Sequence, residues 1–493
     1  MSKKEFDLNE NLNDIEKLKN TPLCVKLDKT LISTDPFFEC FISMLNSNPL
    51  LLFLIPFWLL KGKLFLEKKI FENCKLDIRY LPYRKRLVDF VKAEKEIGRE
   101  TILVTNSYFG IAKKIYQYLE IFTGVLASVN EKYSYAEIKN ILQKKYSNEN
   151  NFDYIGSAAE DLQIFEVARL SYLINPSATL ETQAKKYSKV EMIFRAKKDK
   201  VKIFFQAIHI ERWLKNLAIF LPFLLFEKPF NTQNFSNLIF AFLGFSIISS
   251  ATYLLNNLID LSLDRKNPLK FTRSVAIGLF SIKASLILIP IFICIGFAFA
   301  LQISSPIFNL ILFGYLFFSV AYSIILKKIP YFDLLILALL FVLRFVTGFI
   351  VYEIEINSIN IIFASLIIFN YIFLNKYSEQ ILISKKKNVT VAKYNSNFLF
   401  ISGIISGLIL VILGINFLIN ILSVSINTNF LYIIFLSLFI LIFIIFELIF
   451  WRKAMIGKME KEFIISLLKE PFSYIFLVFF IIFVIFLRFF IYL

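Results

Sequence analysis

The sequence predicts two fold classes in one multi-domain chain, an α/β unit followed by an all-α membrane bundle, and three observations carry the prediction. Residues 206–493 are mostly Ile, Leu and Phe in long runs, in a chain of 493 residues that is 57% hydrophobic and holds 58 Phe. A soluble core has no use for so much apolar surface, so this half reads as spanning a bilayer. Residues 1–205 are mixed and Lys-rich, and short apolar runs ("LCVKL" at 23–27, "ETILVTN" at 100–106, "DYIGS" at 153–157, "SYLINP" at 171–176) alternate there with helical stretches. That alternation is the pattern of a parallel sheet with crossover helices. Thirdly, the basic residues of the second half crowd into alternate loops, as the positive-inside rule expects.

In chain order, residues 1–20 ("MSKKEFDLNENLNDIEKLKN") form a charged tail without the apolar centre of a signal peptide. Residues 21–184 form the α/β domain, with an inserted cap near 37–80. The cap's apolar stretch "FFECFISMLNSNPLLLFLIPFWLLKGK" (37–63) is broken by Asn46, Asn48 and Pro49. It therefore reads as an apolar surface resting on the bilayer or the membrane half rather than as a span. Residues 185–205 ("KKYSKVEMIFRAKKDKVKIFF") interleave basic and apolar side chains, which predicts a linker helix lying against anionic headgroups. The four cysteines (Cys24, Cys40, Cys74, Cys294) have neither metal nor disulfide spacing and read as reduced thiols.

In the second half, stretches long enough to span, about 20 residues each, fall near 211–228, 234–256, 280–302, 306–326, 330–351, 358–375, 396–420, 429–451 and 473–492. That predicts nine transmembrane helices. The even loops carry the basic residues of 265–273, 327–328, 376–393 and 452–469, whereas the odd loops hold little beyond Lys228, Glu353 and Glu355. The expected arrangement is an integral protein of the inner (plasma) membrane, with the N-terminal domain cytoplasmic and the C-terminus outside. The net charge of +17 belongs to those loops. No stacking or groove-reading motif accompanies it, so no nucleic acid partner is expected.

The stretch richest in chemistry is "YLLNNLIDLSLDRKNPLKFTRS" (253–274), at the end of the second span. Asn256, Asp260 and Asp264 are spaced i, i+4, i+8 and share one face of a helix. Such oxygen-bearing side chains suit Mg2+, which takes one or two carboxylates and leaves positions for substrate phosphates. Arg265, Lys266, Lys270 and Arg273 follow, cations suited to charge-assisted bonds with a diphosphate. Arg344 lies deep in the fifth span, 11 residues after Asp333 and nearly on the same helix face. A charge there is expensive unless it faces a polar cavity or has a partner, for which Glu379 and a backbone carbonyl are alternatives. His209, the one histidine, reads as an interfacial residue.

Nine spans with this motif resemble the UbiA superfamily of intramembrane transferases. "YSIILKKIPYFDLLILALLFVLRFVTG" (322–348) is similar to its polyprenyl-phosphate (decaprenyl-phosphate) phosphoribosyltransferase branch, through Tyr322, Lys327, Asp333 and Arg344. "RWLKN" (212–216) and "NKYSE" (375–379) match that branch through Trp213, Lys215, Asn216, Lys376 and Glu379. The resemblance implies catalytic roles for Asp260, Asp264, Lys270, Arg273 and Asp333, with a Mg2+ cofactor on Asn256, Asp260 and Asp264. Lys215, Asn216, Tyr322, Lys327, Arg344, Lys376 and Glu379 would bind substrate. The implied reaction moves phosphoribosyl from phosphoribosyl pyrophosphate to a polyprenyl phosphate. The alternatives are prenyl transfer from a polyprenyl diphosphate to an aromatic acceptor, and a non-catalytic membrane scaffold. Asp333 stands alone, with Ile329 and Leu337 four residues to either side, where aromatic prenyltransferases carry an aspartate pair. Asn257 stands where that branch commonly has Asp, and His209 and Ile210 replace its usual Arg-Pro.

The first half resembles the haloacid dehalogenase fold over about 20–180, with a degenerate site. "PLCVKLDKTLISTD" (22–35) puts Lys26, Asp28 and Thr30 in the positions of the family's Asp-x-Asp-x-Thr loop. Thr105 takes the phosphate-contacting place, and Ser157 and Asp161 take the two magnesium-holding places. Lys26 forms no aspartyl phosphate and Ser157 offers a metal no charge. No phosphatase activity is expected, and an ion pair of Lys26 with Asp28 or Asp161 would neutralise the pocket.

Overall fold

The computed structural model describes residues 19–128, 134–146, 152–196, 199–225, 229–267, 270–356, 358–385, 394–424, 430–459, 470–475, 478–479 and 481–482. Most of the expected tail, the second half of the loop at 376–393, most of the loop at 452–469 and most of the ninth expected span lie outside them. The chain divides into two units, residues 1–207 with 257–287, and residues 208–256 with 288–493.

Six strands build the first unit: β1 Leu23–Lys26, β2 Thr101–Tyr108, β3 Gly124–Ser128, β4 Asp153–Gly156, β5 Ser171–Ile174 and β6 Val190–Phe194. All pair in parallel, in the order β3-β2-β1-β4-β5-β6. Leu23 stands opposite both Thr101 and Asp153. Strands β1, β4 and β5 are buried at every position because helices cover both faces of the sheet. Val25, Leu103, Ile155 and Tyr172 pack with Leu87, Val91 and Ile111 on one side. Cys24, Ile102, Val104, Tyr154 and Leu173 pack with Ile138, Leu142 and Ala184 on the other. Strand order reverses between β1 and β4, and in such sheets the crevice at the strands' carboxyl ends is the natural place for a site.

Between β1 and β2 comes a helical insertion: Pro36–Ser47, the 3-10 turn Pro49–Leu54, Ile55–Leu60 and Lys63–Glu72. Asp35 starts it by accepting a hydrogen bond from the Phe37 amide at 3.0 Å. Asn48, which accepts from the Leu50 amide, and Pro49 divide the apolar stretch in two. Phe53, Phe57 and Leu60 leave 72%, 63% and 86% of their surface exposed, an apolar shelf too large to be incidental.

The linker helix expected at 185–205 is not formed as such. A helix ends at Tyr187, β6 follows, and a second helix covers Lys200–Ala207. "VEMIF" pairs with β5, with Met192 opposite Tyr172 and Phe194 opposite Ile174. An open edge of unpaired backbone groups on β5 outweighs the local helical pattern.

The second unit is helical. Six of its described helices are long and apolar enough to cross a membrane: Thr232–Ile259, Ile282–Ala300, Pro306–Ile324, Phe332–Tyr352, and segments 361–382 and 396–415 of two longer helices. Phe430–Ile456 matches another expected span. Residues 211–228 differ from expectation. They hold a 3-10 stretch, Ile210–Phe220, and a short helix, Leu221–Leu225, rather than one spanning helix. Helix Phe332–Tyr352 packs closely there, for a Cβ at Gly348 would collide with the Ile219 carbonyl oxygen.

Candidate active site

The helix carrying Asn256 ends at Ile259, and a six-residue helix, Leu261–Lys266, follows. Asp260 sits at the junction with φ −85° and ψ 2°. Asn256, Asp260 and Asp264 therefore do not share one uninterrupted helix face as expected. One turn of continuity survives across the break, since the Asp264 amide still donates to the Asp260 carbonyl at 2.8 Å.

Asp264 is 2% exposed. Its Oδ2 accepts from Arg273 Nη1 at 2.6 Å, and Lys270 Nζ stands 4.0 Å from Oδ1. Arg273 also donates to Asn257 Oδ1 at 3.4 Å. Burial pushes the Asp264 carboxyl above the usual carboxylate range, against the pull of Arg273 and Lys270. The buried Oδ1 accepts no hydrogen bond from any described residue. A buried carboxylate oxygen left over beside two cations suits a divalent metal carrying a phosphate-bearing ligand. Among the described residues no three His, Cys, Asp or Glu side chains gather into a ready-made cluster.

The expected residues of the second unit form separate polar contacts. Lys327 Nζ donates to Asn256 Oδ1 at 2.9 Å. Asp333, 2% exposed, accepts from the Tyr394 hydroxyl. Lys376 pairs with Glu379 at 2.9 Å. Arg344 is 4% exposed. It donates through Nε to Asn216 Oδ1 at 2.6 Å, through Nη2 to the Tyr315 hydroxyl at 2.8 Å, and through Nη1 to the Leu340 carbonyl. Its guanidinium lies 4.8 Å from the Tyr315 ring centroid. Asn216 in turn donates to Ser246 at 2.9 Å, and Trp213 donates to Ser250 at 2.9 Å. Lys215 and Tyr322 are half-buried in the same unit. His209 meets Glu211 at 2.9 Å and lies edge to face with Tyr253.

The polar residues around Lys26 in the first unit pair with one another. Lys26 Nζ reaches Asp161 Oδ1 at 2.6 Å, with their side chains 4% and 0% exposed, and lies 4.7 Å from the Tyr135 ring centroid. Burial works against the Lys26 cation, but Asp161 and Tyr135 hold it above its ordinary value. Asp161 Oδ2 accepts from the Ser157 and Ala158 amides at 2.8 and 2.9 Å. Asp28 accepts from Thr105 at 2.6 Å and Ser107 at 2.7 Å, and Thr30 donates to Ser157 at 2.9 Å. Burial raises the Asp28 carboxyl in spite of those two hydroxyls. Of the two ion pairs considered for Lys26, the structure forms the one with Asp161.

Sequence reasoning missed Glu39, Tyr315 and Tyr394. Glu39 had a signal, as the lone acid of the apolar run "PFFECFISML". The tyrosines had none: Tyr315 is one of several aromatic residues in "FGYLFF", and nothing in "VAKYNSN" ties Tyr394 to Asp333.

The model of the UbiA prenyltransferase family matches residues 217–469. An uncharacterized protein, y4nM, from Sinorhizobium fredii (strain NBRC 101917 / NGR234) is 30% identical over 335 residues, which are 67% of this chain and 64% of that protein. The chain thus spans just under two thirds of that relative's length. A UbiA homolog from Archaeoglobus fulgidus bound to DMAPP and Mg2+ aligns at 17% identity with a TM-score of 0.43, over 56% of this chain and 96% of that one. The same homolog bound to GPP and Mg2+ aligns at 18% identity with a TM-score of 0.43, over 57% and 98%. With six membrane-length helices and a family match over just over half its length, the chain is an integral membrane protein belonging to the UbiA prenyltransferase family.

Proposed function

We propose that the protein transfers phosphoribosyl from phosphoribosyl pyrophosphate to a polyprenyl phosphate and releases diphosphate. The observation that carries the reading is Arg344, a buried guanidinium in a membrane-length helix whose described partners are two neutral side chains and a carbonyl. Charge at that depth calls for a counter-charge, and a phosphate of the ligand supplies it. The lone Asp333 points the same way, because one aspartate grips a lipid diphosphate less firmly than a pair does.

In this reaction the bond from the ribose anomeric carbon to the diphosphate breaks, and its electron pair leaves with diphosphate. An oxygen of the polyprenyl phosphate closes on that carbon, so atoms balance and no protein nucleophile is required. Asp264 with Asp260 would hold Mg2+, which would supply positive charge to offset the negative charge developing on the diphosphate oxygens. Lys270 and Arg273 attract the same oxygens electrostatically. Arg344 and Asn216 would position a phosphate, and Lys327 would draw in the soluble donor. The Phe- and Ile-rich walls exclude water that would otherwise capture the cationic carbon.

In this reading the site opens to the cytoplasm, the protein resides in the plasma membrane, and the first unit is a haloacid dehalogenase-like domain whose own chemistry is lost. The buried Lys26–Asp161 pair supports that last point. A second reading, prenyl transfer to an aromatic acceptor, is favoured by the family description. Offering purified protein each labelled donor with its own acceptor separates the two. Consumption of prenyl diphosphate alone would overturn the first.

A further inference from the structure

The proposed reaction leaves the α/β unit without a task, and a contact within that unit supplies one. Glu39 lies in the insertion helix Pro36–Ser47, while Arg265 directly follows Asp264. Arg265 Nη1 and Nη2 reach the two Glu39 carboxylate oxygens at 2.9 and 2.7 Å, and its Nε donates to the Ala276 carbonyl at 2.8 Å. The two side chains are 3% and 1% exposed. We infer that Glu39 is a positioning residue for the aspartate-bearing segment: through Arg265 it fixes the helix that presents Asp260 and Asp264, and the α/β unit is kept as the clamp on that segment. This rests on the reading of those aspartates as cation ligands.

Stability alone does not call for such a pair. Replacing a buried ion pair by apolar residues of similar volume is often neutral or stabilising. What an apolar contact lacks is direction. A guanidinium forked onto a carboxylate and tied along its edge to a carbonyl fixes the plane and azimuth of the chain that bears it. The segment needs this, because a six-residue helix has no stability of its own. The insertion grips it on either side as well. Asn46 Nδ2 donates to the Ile259 carbonyl at 2.9 Å, just before Asp260. Lys266 stands 3.5 Å from Asp77 and 5.1 Å from the Tyr80 ring centroid. Further along, Gly278 (φ +70°) packs so closely that an added Cβ would sit 2.7 Å from the Ser33 Cβ.

The test is Mn2+ binding to the purified full-length protein, followed by electron paramagnetic resonance, with kcat/KM measured alongside. Glu39→Gln should weaken Mn2+ binding about 10–100-fold, the usual effect of losing a residue that orients metal ligands. The double variant E39M/R265M should do the same while keeping the fold, and it carries the test should E39Q not fold. Asp153→Asn breaks a buried cluster elsewhere in the unit, with Arg99 and Arg169. It should lower the melting temperature and leave Mn2+ affinity unchanged. Wild-type Mn2+ affinity in the Glu39 variants, or an equal loss in D153N, overturns the inference. Asp264→Asn tells the two failures apart. If D264N loses Mn2+ and the Glu39 variants do not, only the clamp is wrong. If D264N binds as wild type does, the metal reading falls and the clamp with it.

Discussion

Replacing Arg344 by leucine removes a buried cation and leaves a shorter, apolar side chain in its place. A guanidinium has five N–H donors, and the structure engages three of them, with Asn216, Tyr315 and the Leu340 carbonyl. Two remain for a phosphate. At about 1.5–3 kcal/mol for each charged hydrogen bond, R344L loses about 3–6 kcal/mol of ligand binding. That is roughly two to four orders of magnitude in kcat/KM. Folding should survive. The groups left unpaired on Asn216 and Tyr315 cost about 1–3 kcal/mol each, but removing a buried charge without a carboxylate partner offsets much of that. Arg344→Lys keeps the charge and loses the planar fork, so it should fall between the two. The assay is single-substrate kinetics with labelled donor on protein in lipid nanodiscs, with melting curves as the folding control. R344L turning over donor at the wild-type kcat/KM would show that Arg344 is a structural residue and refute the reasoning.

Asp260→Asn and Asp264→Asn should each abolish transfer with the fold intact. Near-normal turnover in either removes the metal assignment. Lys270→Ala should chiefly raise KM for the water-soluble donor, whereas a fall confined to kcat would place Lys270 elsewhere. The protein should hydrolyse no generic phosphomonoester with Mg2+, and Lys26→Asp should not restore hydrolysis, because Ser157 still leaves that site short of charge; hydrolysis by either protein contradicts this. Burial raises the Asp28 carboxyl, so the folded chain keeps that proton to higher pH than the unfolded chain does. Its contribution to stability is full below about pH 4, the ordinary value for Asp, and is lost as pH rises through the raised folded value. Asp28→Asn lacks that decline. Its melting temperature relative to wild type should therefore climb as pH rises from about 4, and a constant difference would count against the assignment.

Much of the fold was legible in sequence because burial is written in composition. Short apolar runs alternating with helical stretches announced a parallel sheet, and Asn48 with Pro49 marked the break in the insertion. What escaped depended on partners distant in the chain. Val190–Phe194 is a strand only because β5 offers an edge, and its Lys-rich flanks spoke louder than its short apolar core. Hydropathy located the apolar stretch at 211–228 but does not distinguish i+3 from i+4 hydrogen bonding, so the 3-10 geometry was invisible. The helix break at Asp260 was hidden for the same reason, since i, i+4 spacing presumes a continuous helix. In the candidate site, the charged residues were legible one by one and their pairings were not. Glu39 and Arg265 are 226 positions apart, and Asp333 and Tyr394 are 61 apart. Lys26–Asp161 was foreseen as one of two pairs, because a lysine at the end of a central strand calls for an acid beside it.

The central claim is that a soluble phosphoribosyl donor and a phosphorylated lipid meet on this protein. Its most direct measurement is product analysis by mass spectrometry, with purified protein in nanodiscs given phosphoribosyl pyrophosphate, a polyprenyl phosphate and Mg2+. The account predicts a polyprenyl-phosphoribose species and stoichiometric diphosphate, both absent from D264N. Intact phosphoribosyl pyrophosphate, alongside prenylation of an aromatic acceptor when prenyl diphosphate is supplied, would contradict it.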